Sequence, residues 1–82
     1  MGKIRLKLRD LRKILRSFGM NEDTSRGKGG HTLFWKDFAD GHFSYLIPNK
    51  TDVLMRYVKG ARKKFRLLSE DGVTDEDFFG RR

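Results

Sequence analysis

A glycine-rich basic loop that leads into a histidine is the part of the sequence best suited to chemistry. Residues 25–31 read SRGKGGH. Glycines let backbone N–H groups approach a phosphate closely, and an imidazole, with a pKa of about 6.5, can accept a proton at neutral pH. We therefore predict that His31 is a catalytic base and that Arg26, Lys28, Gly29 and Gly30 bind the phosphate and stabilise its transition state.

Such a loop can cleave RNA without a metal ion. A base removes the proton of a 2′-hydroxyl, which attacks the adjacent phosphorus while cations stabilise the added negative charge. The products then carry a 2′,3′-cyclic phosphate and a 5′-hydroxyl, and no cofactor is needed. In the alternative, Gly30 and His31 only shape the loop of a non-catalytic RNA-binding module. A DNA-binding or protein-interaction adaptor is a third possibility, which the lack of helix-turn-helix spacing disfavours.

The charge of the chain points to a polyanionic partner, and RNA is the partner that we predict. The 82 residues carry a formal net charge of +8. Residues 1–69 hold 17 Lys and Arg against 6 Asp and Glu, whereas residues 70–82 hold 2 against 5. A basic body of this kind is typical of nucleic-acid binding. We predict one RNA-binding, nuclease-like domain over 1–69 and an acidic C-terminal tail over 70–82.

Several classes of protein are disfavoured by composition. The chain has no cysteine, so it has no disulfide and no thiolate metal site. It has no apolar run of the roughly 18 residues that cross a membrane, and its first residues lack the apolar core of a signal peptide, so we expect a cytoplasmic protein without membrane contact. We also expect no metal site, because His31 and His42 fall far apart and no carboxylates are expected to cluster with either.

Apolar spacing predicts two helices around three strands. Apolar residues three and four apart over 8–18 predict an amphipathic helix that ends at Gly19. A weak strand over 20–25 follows, and the runs 32–37 and 42–47 read as a hairpin whose turn is 38–41. A second helix, capped by Asn49 or Thr51, carries its apolar stripe from Val53 to Leu68. Its opposite face holds the cations Arg56, Lys59, Arg62, Lys63, Lys64 and Arg66.

This order predicts an α+β fold, α-β-β-β-α, with a three-stranded antiparallel sheet and both helices on one face, as in double-stranded-RNA-binding domains. In the acidic tail, Thr74 begins a pattern that can cap one short helical turn holding Phe78 and Phe79. Gly60, in the middle of the second helix, is tolerable if a close contact there needs the room.

The hairpin register separates two sheet faces. With a loop over 38–41, Asp37 lies opposite His42 and Phe34 opposite Tyr45. One face is the predicted core and holds Thr32, Phe34, Lys36, Phe43, Tyr45 and Ile47. The other face, which we call the open face, holds His31, Leu33, Trp35, His42, Ser44 and Leu46.

The open face predicts a partner, because a soluble monomer avoids an exposed apolar patch. Leu33, Trp35 and Leu46 are the candidate contacts, either with a protein partner or, through Trp35, with a stacked base. In the alternative, the sheet is tilted or the tail folds Phe78 and Phe79 across this face. For the RNA backbone, we predict a track of cations: Lys36, Lys50, Arg56, Lys59 and Lys63.

Together, these motifs resemble the HicA toxin family, also called YcfA-like. The resemblance covers roughly residues 7–68 and rests on the order of a helix that ends at Phe18-Gly19-Met20, the Gly29-Gly30-His31 loop, Phe34, the strand end Ile47-Pro48 and a basic closing helix. It implies a messenger-RNA-cleaving enzyme with the double-stranded-RNA-binding fold, acting as the toxin of a toxin-antitoxin pair and inhibited by a HicB-like antitoxin. It also implies that His31 is the essential catalytic residue. The segment 19–31 and the tail are both longer than the family pattern.

Overall fold

A three-stranded antiparallel sheet and its covering helices form the body of the protein. The structure, a computed structural model, describes residues 5–23 and 30–82. Within them, strand β1 (Arg5–Lys7) leads into helix α1 (Leu8–Ser17). Strands β2 (Asn21–Asp23), β3 (His31–Phe38) and β4 (Gly41–Pro48) form the sheet in the order β2-β3-β4. Strand β5 (Asp52–Leu54), helix α2 (Met55–Lys64), a 3₁₀ turn (Ser69–Asp71) and helix α3 (Asp75–Phe79) complete the chain.

The predicted α+β class and the hairpin register are confirmed. Strand β3 pairs with β4 so that Asp37 faces His42, Trp35 faces Ser44 and Phe34 faces Tyr45. Pairing continues to Phe38 and Gly41, which shortens the loop to two residues. Side chains therefore alternate between the two faces as the period-2 pattern requires.

Helix α1 ends as its sequence predicts. Gly19 adopts the left-handed backbone conformation, with a φ of 89°, and its N–H donates to the carbonyl of Arg16 at 2.9 Å. The N–H of Met20 donates to the carbonyl of Leu15 at 3.0 Å, so two carbonyls of the last turn are satisfied. This end turns the chain directly into β2.

The predicted start of the second helix is wrong. Residues 52–54 form β5, which pairs antiparallel with β1 in a separate two-stranded ribbon, so α2 begins only at Met55. Neither Asn49 nor Thr51 caps it: the residue before the helix is Leu54, whose side chain makes no capping bond. A backbone partner contributed by β1 overrides the helical spacing of Val53 and Leu54.

The end of α2 also differs from the prediction. Arg66 has a φ of 58°, a left-handed conformation that a non-glycine residue rarely adopts, and the chain turns there. As a result Leu67 is buried at 6% exposure, whereas Leu68, which the spacing places on the apolar stripe, is only half-buried.

One core joins both long helices to the sheet. Phe34 and Ile47, on the predicted core face, are 1% and 0% exposed. The buried residues that pack with them come from α1 and α2, so both helices lie on this face: Leu11, Ile14, Leu15, Val58, Ala61 and Phe65. Gly60 allows this close approach, because a Cβ there would lie 2.0 Å from the hydroxyl oxygen of Tyr45.

The acidic tail packs against this body. The hydroxyl of Thr74 accepts a hydrogen bond from the N–H of Asp77 at 3.0 Å, which caps α3. Phe78 is fully buried and its ring lies 5.9 Å from that of Phe18. The alternative in which Phe78 crosses the open face is therefore wrong.

Candidate nucleic-acid interface

The candidate base, His31, is the first residue of β3 and its side chain is exposed. It pairs with Pro48 on β4. On one side of it, the carbonyl of Gly30 accepts from the N–H of Asn49 at 2.5 Å; on the other, the hydroxyl of Thr32 donates to the Oδ1 of Asn49 at 2.5 Å. Asn49 is therefore bonded to both chain neighbours of the histidine, to the backbone of Gly30 and to the side chain of Thr32.

Of the four residues predicted to bind phosphate, the structure describes Gly30. Arg26, Lys28 and Gly29 lie outside the described residues. Gly30 is exposed, and a Cβ built on it would meet open space, so Gly30 itself is not required by close packing.

His42 lies at the opposite end of the hairpin from His31. His31 pairs with Pro48 and His42 with Asp37, six positions along β3, or about 20 Å at 3.3 Å per residue. One carboxylate, that of Asp37, does pair with a histidine: its Oδ1 lies 2.6 Å from His42 Nδ1. Within residues 5–23 and 30–82, no three His, Cys, Asp or Glu side chains form a group that could hold a metal ion.

The predicted cation track divides into two kinds of residue. Lys50, Arg56, Lys59 and Lys63 are exposed. Lys36 is half-buried, and its ammonium donates to the carbonyl of Phe18 at 3.0 Å, next to the glycine that ends α1. Its ammonium therefore satisfies a backbone carbonyl at the end of α1.

Arg62, expected on the exposed basic face of α2, is buried at 5% exposure. Its guanidinium donates to the carbonyls of Leu67 at 2.8 Å and Val73 at 3.0 Å, and to Asp75 at 2.7 Å. It also lies over the ring of Phe78 at 4.7 Å. This cation holds the tail against α2.

A basic groove forms where the ribbon β1–β5 meets the end of β4. One cavity, of about 360 Å³, is lined by Lys7, Arg9, Arg12 and Lys50 together with Leu8, Asn49 and Thr51. Lys50 also lines a second cavity, of about 310 Å³, with Arg5 and Arg56. We call the surface formed by these six cations the basic groove. Asn49, which bonds to Gly30 and Thr32 on either side of His31, is part of its wall.

Sequence reasoning missed the contribution of β1 and α1 to this groove. Charged and apolar residues alternate over 3–9 in the sequence, which does not show where these cations lie. The pairing of Arg5 with Leu54 and the bond from the N–H of Leu8 to the carbonyl of Thr51 at 2.9 Å bring them to Lys50. One of the six cations is partly neutralised: Arg12 is paired with Glu22, which raises the pKa of the Arg12 guanidinium by accepting its hydrogen bond.

The open face carries the predicted apolar residues. Leu33 and Trp35 are half-buried, and Leu46 is 44% exposed. The Trp35 ring lies 5.3 Å from that of His42.

None of the described helices is long and apolar enough to cross a membrane.

Comparison with models of known protein families, with curated proteins and with solved structures finds no match to this chain. The resemblance to the HicA family and to double-stranded-RNA-binding domains therefore stays a prediction from the motifs.

Proposed function

We propose that the protein binds RNA and cleaves it without a metal ion, using His31 as the general base. The observation that carries the proposal is the position of Asn49, which bonds to both neighbours of His31 and also lines the basic groove. An RNA backbone bound in the groove thereby passes the strand end that carries the exposed His31. A net charge of +8 favours such a partner.

The chemistry follows from the residue types. His31 takes the proton of a 2′-hydroxyl, the oxygen attacks the adjacent phosphorus, and the bond to the 5′-oxygen breaks. Cations beside the strand end stabilise the pentavalent transition state, with Lys50 the nearest in sequence to Asn49. The leaving 5′-oxygen takes a proton from an acid or water, so the products are a 2′,3′-cyclic phosphate and a 5′-hydroxyl.

His31→Ala tests the catalytic role directly. We expect at least a 100-fold loss of cleavage, the low end of what a general base contributes, with RNA affinity unchanged within about twofold. Imidazole added to the buffer should restore part of the cleavage by His31→Ala, because it can supply the missing base. EDTA should leave wild-type cleavage unchanged.

Three results would contradict the proposal that the protein cleaves RNA with His31 as the base. Products with a 5′-phosphate exclude attack by the 2′-hydroxyl. Full cleavage by His31→Ala places the activity at another site or in a contaminant. Binding of RNA without cleavage by the wild-type chain leaves the non-catalytic RNA-binding module as the function.

The basic groove is tested by a comparison of two charge sets. Replacing Lys7, Arg9 and Lys50 by Gln should weaken RNA binding and make it less dependent on salt. The log–log slope should fall by about 0.7 for each phosphate of a single strand that is no longer neutralised. Replacing Lys59, Lys63 and Lys64 on α2 removes the same charge, and we expect a smaller effect. An equal effect of both sets would show that overall charge, and not the groove, binds the RNA.

The toxin role and its inhibition by a HicB-like antitoxin rest on the resemblance alone. Leu33, Trp35 and Leu46 are the surface that we propose for that protein partner. A reading frame of the HicB type beside the coding sequence would support this part of the proposal.

A further inference from the structure

A pocket on the open face differs in chemistry from the basic groove. It measures about 310 Å³ and is lined by Asp23, Leu33, Trp35, Asp37 and His42. The pocket therefore combines an indole ring and a leucine with carboxylates, although the chain as a whole is strongly basic. Carboxylates repel a phosphate, so a ligand of this pocket must present hydrogen-bond donors and an apolar or aromatic surface.

The side chains of the pocket hold one another in place. The Nδ1–H of His42 donates to Asp37 Oδ1 at 2.6 Å, since an ionised carboxylate can only accept. The His42 ring also packs against Trp35, with ring centres 5.3 Å apart and planes 31° apart. A carboxylate has about four acceptor positions, so Asp37 keeps the capacity to accept from a ligand after this bond.

Guanine is the base whose edge fits these groups. Its Watson–Crick edge presents two adjacent donors, N1–H and the 2-amino group, which can form two parallel bonds to one carboxylate. Adenine and cytosine present an amino donor next to an acceptor nitrogen, and uracil presents one N–H between two carbonyls. Each of these places an acceptor against the carboxylate, whereas any base can stack on an indole.

We infer that this pocket binds a guanine base of single-stranded RNA, with Trp35 stacking on the base and Asp37 accepting from N1–H and the 2-amino group. His42 is a positioning residue that orients Asp37. The inference rests on the proposed function, because it supplies base selection to the same RNA-binding protein. Trp35 and His31 lie on the same face of β3, four residues or about 13 Å apart, so one RNA strand crossing the open face can contact both.

The experiment uses the full chain and short RNA strands that it cannot cleave. Trinucleotides with 2′-O-methyl riboses and guanine, inosine, adenine, cytosine or uracil in the middle are titrated while the fluorescence of Trp35, the single tryptophan, is followed. We expect quenching with the guanine strand and an affinity about tenfold lower for the inosine strand, which lacks only the 2-amino donor.

Asp37→Asn should remove the preference for guanine over inosine, because an amide offers one acceptor in place of two. Asp40→Asn is the matched control: it removes the same charge from the same hairpin, but Asp40 pairs with Arg66 and does not line the pocket. It should keep the preference. Far-ultraviolet circular dichroism confirms that both variants fold.

The outcomes separate this inference from the proposed function. The proposal that this pocket binds guanine through Asp37 is overturned by equal affinity for all five strands. It is also overturned by a guanine preference that survives Asp37→Asn. Cleavage of ordinary RNA without a guanine preference also overturns the pocket and leaves the enzyme. A guanine preference in a chain that cleaves no RNA overturns only the enzyme. A chain that binds none of the strands overturns the guanine pocket, and it overturns the enzyme as well only if it also cleaves no ordinary RNA.

Discussion

The two faces of the β3–β4 hairpin come from the same sixteen residues, but one face is buried and the other is largely exposed. On the covered face, Phe34 is 1% exposed beneath the helices; on the open face, Leu46 is 44% exposed. Burial of the covered face removes apolar area from water and so stabilises the fold. The open face contributes little to stability. It carries the imidazole of His31 and the pocket around Trp35. The covered face maintains the structure, and the open face is available for binding.

The largest expected effect comes from truncating one residue on each face. Phe34→Ala should lower the free energy of unfolding by about 3–5 kcal/mol, because it leaves a cavity in a closed core. Leu46→Ala should change it by no more than about 0.5 kcal/mol. Urea denaturation of both variants measures the difference, and similar losses would show that the open face is covered as well.

The next effect concerns the tail on the covered side. Arg62→Met should cost about 1.5–3 kcal/mol, because it leaves the carbonyls of Leu67 and Val73 without their charged donor. Lys64→Met, on the exposed side of the same helix, should be nearly neutral. Thermal denaturation distinguishes them, and equal melting temperatures would mean that the buried guanidinium does not hold the tail.

A smaller effect tests how closely α2 approaches the covered face. Gly60→Ala places a Cβ 2.0 Å from the Tyr45 hydroxyl oxygen, and overpacking of this kind costs about 1–3 kcal/mol, partly offset by about 1 kcal/mol of helix propensity. Tyr45→Phe removes the nearest atom, so the cost of Gly60→Ala should fall in that background. A double-mutant cycle in urea measures the coupling, and strict additivity would contradict the contact.

The smallest expected effect is on the pH dependence of stability and comes from Asp40 in the β3–β4 turn. Arg66 donates to Asp40 at 2.5 Å, and this bond holds the pKa of the Asp40 carboxyl below its ordinary 3.8. Because the pKa of Asp40 is lower in the folded chain than in the unfolded one, the ionised carboxylate adds to the free energy of unfolding. This contribution is complete above about pH 5. It is lost as the pH falls below 3.8 and through the pKa of the folded chain. Stability measured from pH 6 to pH 2 should therefore fall slightly less for Asp40→Asn than for the wild-type chain. Identical pH profiles would show that this exposed pair contributes nothing.

The hairpin, the end of α1 and the candidate base could be predicted because each depends on a local pattern. Alternation sets which residues share a face, and a glycine after an apolar stripe ends a helix. The groove could not be predicted, because it depends on the pairing of β1 with β5, whose residues lie about fifty positions apart in the chain. The burial of Arg62 could not be predicted for a similar reason: its position on the helix is polar by spacing, and only the returning tail buries it.

By itself, the sequence determined the α+β class, the basic character and the two faces of the hairpin, since periodicity and charge act over a few residues at a time. The tertiary structure alone decided that Lys7 and Arg9 meet Lys50, because these residues come from segments far apart in the chain. The hairpin pattern predicts that Asp37 lies opposite His42, but only the packed side chains form a pocket from these two residues with Asp23, Leu33 and Trp35. Contacts between distant segments and the packing of side chains depend on the tertiary structure, which no local pattern encodes.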